Sequence, residues 1–332
     1  MISRLHARAR QLVPGLSTAL IVGAAASFLS EHYSAPVMLY ALLLGMALNF
    51  LTEGERSNPG IDLAARGLLR LGVALLGLRI GWSQVTALGW GPLLMIATLT
   101  AATIGLSILM ARAMGFNPLF GFLSGGATAI CGASAALALS AALPAHEKKE
   151  QATLVTVIGV SVFSTLAMIA YPIIAGLTSL DHHQAGLFIG STIHDVAQVV
   201  GAGYAISPET GDTATIVKLM RVAMLLPVIL VAGQITRRTA SPGTARPPVL
   251  PWFIVVFILL LALNSLVTLP AWVGAVGKPL SGACLVTSIA AIGMKTRLGE
   301  IVKVGLRPVL LIFAETAFLA GAVLILLKSG FV

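Results

Sequence analysis

Charge is what this sequence has least of. Only 10% of its 332 residues are Asp, Glu, Lys or Arg, and 57% are hydrophobic. A soluble domain carries roughly a quarter charged residues. Polar stretches long enough to form a soluble domain are missing as well, so a large soluble α/β protein is excluded and the chain reads as embedded in a lipid bilayer. Cysteine is nearly absent. Cys131 and Cys284 are the only two, both in apolar segments, which leaves neither a disulfide framework nor a cysteine metal site. His182 and His183 share a loop without third and fourth ligands at useful spacing. No metal and no cofactor are expected.

The charge that remains is mostly basic, 21 Lys and Arg against 12 Asp and Glu. These cations gather in short loops between apolar runs. That is the positive-inside pattern of a membrane protein, and it argues against a nucleic-acid partner. Apolar runs fall at about 12–30, 35–51, 61–80, 89–111, 119–143, 152–176, 185–206, 213–236, 250–269, 272–294 and 306–328, eleven candidate segments. The first follows Arg4, Arg8 and Arg10, is long enough to span and shows no cleavage site, so it reads as a membrane helix. Basic loops at 237–249 and 295–307 belong with the N-terminus in the cytoplasm. Eleven spans allow this, although Pro144–Gln151, with Lys148 and Lys149, would then lie outside.

The expected fold is an all-α polytopic membrane protein, a single transporter domain over 1–332. An internal repeat relates 61–111 to 277–328. Val73–Ala101 lies without gaps on Ile289–Ala317, matching Gly77 to Gly293, Arg79 to Lys295, Gly89 to Gly305 and Pro92 to Pro308. By span count the two copies enter the membrane from opposite sides, as inverted repeats do. The segments 119–143 and 185–206 read as interrupted helices, because glycines and small hydroxyl residues hold a helix poorly. Both are long enough to cross. If they are instead re-entrant, they too become an inverted pair and the Lys148 loop moves to the cytoplasm.

Two interrupted segments in corresponding places point to a transporter's binding site. One carries Cys131, Gly132 and Ser134, where a half-helix N-terminus would favour an anion. The other carries His194, Asp195 and Gln198, and ionisable residues at membrane depth are usually functional. Lys218 and Arg221, three apart on one helix face, suit the oxygens of an oxyanion. The alternative is an intramembrane ion pair of Arg221 with Asp195 or Glu315. Asp62, Arg66 and Arg70 also stack on one face; Arg66 can snorkel, and Arg70 is a further anion-binding candidate. His194, Asp195 and Glu315 are the proton-coupling candidates. Asn264 reads as a helix-packing hydrogen bond. Cys131 has no base close by, and nothing forms a nucleophile, base and orienter, so an enzyme is not expected.

The runs I-C-G-A-S-A at Ile130–Ala135, G-S-T-I-H-D-V-A-Q-V-V at Gly190–Val200, V-K-L-M-R-V at Val217–Val222 and L-L-R-L-G-V-A-L-L-G-L-R at Leu68–Arg79 resemble the YeiH-like family of bacterial inner-membrane proteins, labelled sulfate exporters. The resemblance covers nearly the whole chain. It implies a multi-pass carrier of the cation:proton antiporter and anion transporter superfamily, with inverted repeats and two interrupted helices meeting at mid-membrane. A homodimer is compatible with that superfamily. The function expected is secondary transport of a small anion, such as sulfate or an organosulfonate, coupled to protons. The alternatives are a cation:proton antiporter, which demands an acidic core, and an anion channel, which would lack counterflow.

Overall fold

The computed structural model describes residues 2–33, 36–52, 56–78, 80, 86, 88–144, 149–237, 252–267, 270–296, 299 and 305–330. Arg79 of the repeat, the Lys148 loop, the basic loop at 237–249 and most of that at 295–307 fall outside this range.

The described residues form helices and no strands. In chain order they are α1 Ile2–Tyr33, α2 Val37–Ala47, a 3₁₀ turn Asn49–Thr52, α3 Asn58–Asp62, a π-helical stretch Leu63–Leu68, α4 Leu69–Leu76, α5 Gly91–Ala113, α6 Pro118–Ala129 and α7 Ala133–Ala142. Then follow α8 Lys149–Leu177, α9 His182–Thr192, α10 Val196–Ile206, α11 Pro208–Ala223, α12 Leu225–Arg237, α13 Trp252–Leu266, α14 Ala271–Lys295 and α15 Leu306–Lys328. Among the described residues six stretches are long and apolar enough to cross a bilayer: Gln11–Tyr33, Gly91–Ala113, Lys149–Leu177, Pro208–Ile235, Trp272–Lys295 and Leu306–Lys328. Large apolar side chains face outward on them, with Ile21 69% and Ile325 70% exposed, as a lipid-facing surface requires.

The eleven apolar runs do not correspond one to one with long helices, and the reasons are local. The run 213–236 is α11 and α12, joined by a turn at Met224. The runs 119–143 and 185–206 are each two half-length helices separated by a short break, 130–132 and 193–195. The run 35–51 is an 11-residue helix closed by a 3₁₀ turn.

The chain divides into two compact units, 1–87 with 200–208 and 251–297, and 88–199 with 209–250 and 298–332. In the first, α14 packs along α2 and α4, α1 on α2 and α3, and α13 on α4. Asn49 Nδ2 donates to the carbonyls of Met294 and Thr296 at 2.9 and 2.8 Å, satisfying orphan acceptors at the end of α14. Asp62 pairs with Lys295 at the same end. Arg66 and Arg70 are exposed side chains.

In the second unit α5 lies against α6, and α15 packs on α5, α6, α8 and α9. Asn117 caps α6 by accepting the Leu119 amide at 2.9 Å, with Pro118 in the first turn. Asp181 and Gln184 close a capping box on α9. α5 and α15 have the same length, 23 residues. Each follows a glycine in the left-handed region, Gly89 at φ +67° and Gly305 at φ +89°, with a proline three residues further on.

Candidate functional site at two helix breaks

The second unit holds both breaks, and they touch. At the first, Ile130 leaves the helical region (φ −111°, ψ −84°) and Gly132 takes φ +62°, ψ −128°. That conformation is essentially confined to glycine. A Cβ built on Gly132 would lie 3.5 Å from His194 Cβ, so the second break packs directly on the first. At the second, Ile193 turns extended (φ −65°, ψ 137°) before α10 begins.

A helix that stops inside the protein leaves carbonyls without donors and the negative end of its dipole exposed. Here α6 and α9 both stop at the crossing, and α11 supplies what they lack. Lys218 Nζ donates to the carbonyls of Ile130 at 2.7 Å, Ile193 at 2.9 Å and His194. Arg221 donates from Nε to Ala129 at 2.9 Å, from Nη1 to Gly190 at 3.2 Å and Ile193 at 3.0 Å, and from Nη2 to Thr128 at 2.9 Å. Both side chains are buried. Glycine makes the approach possible: a Cβ at Gly190 would lie 2.8 Å from Val217 Cβ on α11. All three ammonium donors of Lys218 are committed to carbonyls, and four of the five guanidinium N–H groups of Arg221. The two residues expected to bind an anion and the two breaks do come together, but these cations spend their donors on the chain itself.

Beside the crossing lies a second polar cluster. Glu315, fully buried on α15, accepts hydroxyl groups from Ser107 at 2.5 Å, Ser124 at 2.9 Å and Thr128 at 2.7 Å. A Cβ on Gly125 would lie 2.6 Å from Ser107 Cβ, so the bare glycine lets α5 bring Ser107 this close. His194, also fully buried, lies with Nδ1 3.0 Å from the Thr128 carbonyl and Nε2 2.9 Å from Thr316 Oγ1. A carbonyl only accepts, so Nδ1 carries a proton. Thr128 thus meets Glu315 through its hydroxyl and His194 and Arg221 through its carbonyl. The ion pair of Arg221 with Glu315 considered from the sequence is not formed.

Asp195 is half-buried. Its Oδ1 accepts the Val196 amide at 2.8 Å, and its own amide donates to Ser164 Oγ at 3.1 Å. Gln198 is buried, and its Oε1 has no hydrogen-bond partner among the described residues. Cys131 is buried and Ser134 exposed at the start of α7, an N-terminus without a side-chain cap. Arg70 belongs to the other compact unit. Asn264 donates weakly, at 3.4 Å, to the Ile80 carbonyl. Among the described residues no cluster of His, Cys, Asp and Glu could hold a metal ion.

Ser107, Ser124, Thr128, Ser164 and Thr316 were not legible as site residues. Serine and threonine are ordinary in apolar helices, and only their convergence on Glu315, His194 and the Asp195 amide sets these apart. One readable signal existed: D-x-x-Q occurs at Asp181–Gln184 and again at Asp195–Gln198.

The fold and this crossing define a membrane protein with several candidate spans and two broken helices that meet. Residues 14–312 match the family model described as conserved hypothetical protein 698. Among relatives, the UPF0324 membrane protein of Chlorobaculum tepidum is 49% identical over 314 residues, covering 94% of this chain and 88% of that one. The UPF0324 membrane protein TauZ of Paracoccus denitrificans is 49% identical over 311 residues, 92% of each. A Caulobacter vibrioides UPF0324 membrane protein is 37% identical over 324 residues, 96% of this chain and 69% of its own. The chain belongs to the UPF0324 family of membrane proteins. The sulfate-exporter label expected from the motifs is not among these descriptions. No solved structure matches.

Proposed function

We propose that this protein is a secondary transporter of a small anion, an inorganic oxyanion or organosulfonate, in the bacterial inner membrane. In this reading the chain makes eleven membrane segments with its N-terminus in the cytoplasm, and the broken segments meet at mid-membrane. The equal lengths of α5 and α15, each introduced by a left-handed glycine and a proline, support the inverted repeat.

The carrying observation is the charge balance at the crossing. Four half-helix ends meet there, two negative and two positive, and their partial charges offset one another. Lys218 and Arg221 then stand against Asp195 alone, and with Glu315 protonated one positive charge is left over. An anion neutralises it, held by the open amides at the starts of α7 and α10, with Cys131, Gly132, Ser134, Asp195 and Gln198 around it. Lys218 and Arg221 act on the anion through the field and through the frame they hold. Ionising Glu315 removes the surplus charge, so proton and anion are bound together. His194, joined to Glu315 through Thr128, shares in that coupling.

The test is counterflow of labelled oxyanions into proteoliposomes preloaded with sulfate, sulfonates or dicarboxylates. Exchange driven by a preloaded anion supports a carrier. Absence of exchange for every anion, with folded protein, sinks the reading. A cation:proton antiporter is the second reading, favoured by the two acids, Asp195 and Glu315, beside the breaks. It predicts cation-driven proton movement with no anion requirement.

A further inference from the structure

The sequence D-x-x-Q starts two helices in this protein, and the two starts are built differently. At α9 the box is closed. Asp181 Oδ1 accepts the Gln184 amide at 2.7 Å, and Gln184 Oε1 accepts the Asp181 amide at 3.3 Å. At α10 the same four-residue pattern stays open. Asp195 Oδ1 takes the amide of Val196 at 2.8 Å rather than that of Gln198. The Asp195 amide has gone to Ser164 on α8 at 3.1 Å. Gln198 is left only 4% exposed with its Oε1 unpartnered. The other carboxylate oxygen of Asp195 also lacks a hydrogen bond among the described residues.

An unpartnered buried acceptor is costly, on the order of 1–3 kcal/mol, and a closed box was available to remove that cost. The first turn of an 11-residue helix therefore offers two kinds of vacancy together. Its amides seek acceptors, and the oxygens of Gln198 and Asp195 seek a donor.

A ligand that answers both carries negative oxygens and a hydrogen-bond donor in one small group. An ammonium group or metal cation would satisfy the acceptors, but it would add to two cations already facing one carboxylate. An anion without a donor would satisfy the amides and leave Gln198 orphaned. We infer that the open capping box at Asp195 and Gln198 selects a monoprotonated oxyanion, whose single hydroxyl hydrogen goes to Gln198 Oε1 while its other oxygens take the helix-start amides. Hydrogen phosphate species, hydrogen sulfite and bicarbonate have this chemistry. Sulfate at neutral pH does not. The inference rests on the anion-transport reading and names its substrate class.

The experiment is counterflow by the full-length protein in proteoliposomes, with labelled phosphate, sulfite and sulfate as probes. Sulfite is measured below and above its second pKa, and phosphate and sulfate at neutral pH, for wild type and for Gln198→Met, which keeps the side-chain volume and removes the acceptor. A site built to hydrogen-bond a substrate hydroxyl rejects the analogue lacking it by large factors. The expected result is a preference of at least about 100-fold for a monoprotonated oxyanion over sulfate, with sulfite exchange falling as pH passes the second pKa that removes its only proton. In Gln198→Met that preference shrinks toward unity. Sulfate exchanged as fast as phosphate or sulfite by wild type overturns the inference and leaves the anion carrier standing. A preference intact in Gln198→Met also overturns it, since Gln198 then faces only water. No exchange of any oxyanion overturns the carrier reading, and the inference with it.

Discussion

Ser107 Oγ lies 2.5 Å from Glu315 Oε1 and 2.7 Å from the carbonyl oxygen of Gly121. One hydroxyl hydrogen cannot serve both. When Glu315 is ionised, Ser107 donates to it. When Glu315 is protonated it can donate to Ser107, whose hydrogen then turns to Gly121. Thr316 stands in the same position between His194 Nε2 at 2.9 Å and the Ile312 carbonyl at 2.7 Å. Neutral histidine takes the Thr316 hydrogen, and imidazolium sends it to Ile312. Each titratable group therefore has a hydroxyl that rotates to accommodate either protonation state, so neither state leaves a buried donor against a donor.

Substituting Glu315→Gln fixes the neutral form of that carboxyl in nearly the same shape. Anion counterflow is expected to persist, while uptake driven by an imposed pH gradient falls by at least about tenfold, as removal of a proton-transfer group does. Parallel measurement of the two rates checks this. Equal loss of both would make Glu315 a structural residue.

Lys218 and Arg221 hold the carbonyls where α6 and α9 end. Lys218→Met leaves two buried acceptors, the Ile130 and His194 carbonyls, without their donor, at about 1–3 kcal/mol for each group, while Ile193 keeps Arg221, so a large drop in melting temperature in detergent is expected. Arg221→Lys keeps the charge and loses part of the fork, and its drop should be smaller than that of Arg221→Gln. A stable Arg221→Gln protein that fails only in anion binding would return Arg221 to direct contact with substrate.

Gly132→Ala is expected to destabilise by about 1–3 kcal/mol through backbone strain. The neighbouring His194 atoms lie at ordinary contact distance, so the cost is conformational rather than steric. Thermal unfolding of the variant beside Gly126→Ala, where a Cβ would meet the Leu139 side chain instead, separates the two causes.

Arg70 is exposed and lies in the compact unit that does not contain the breaks. Arg70→Gln should leave counterflow within about twofold of wild type, the range of surface substitutions away from special features. A loss comparable to that of Asp195→Asn would place Arg70 in the anion path.

The helical class and both interruptions were legible because glycine and small hydroxyl residues stand where an uninterrupted helix would need better formers. Asp195 and His194 drew notice for the same plain reason: charge inside apolar text. What Lys218 and Arg221 do was not legible. Sequence shows a cation at depth but not whether a solute or a helix end faces it, and only the placement of α11 beside two helix C-termini decides that. The hydroxyls around Glu315 were invisible for a different reason. Their role depends on three helices, α5, α6 and α15, arriving at one point, and no spacing within any one of them announces it.

Lys218 binds carbonyls from both breaks, and Arg221, three residues further along α11, ties the last turn of α6 to the end of α9 and the second break. The two discontinuous segments and the helix that holds them are consequently fastened as one block. Neither break can flex open without releasing bonds from the other, so the interruptions, which look like hinges in the sequence, are cross-tied rather than free. On the proposed carrier reading, solute movement then calls for displacement of the block as a whole.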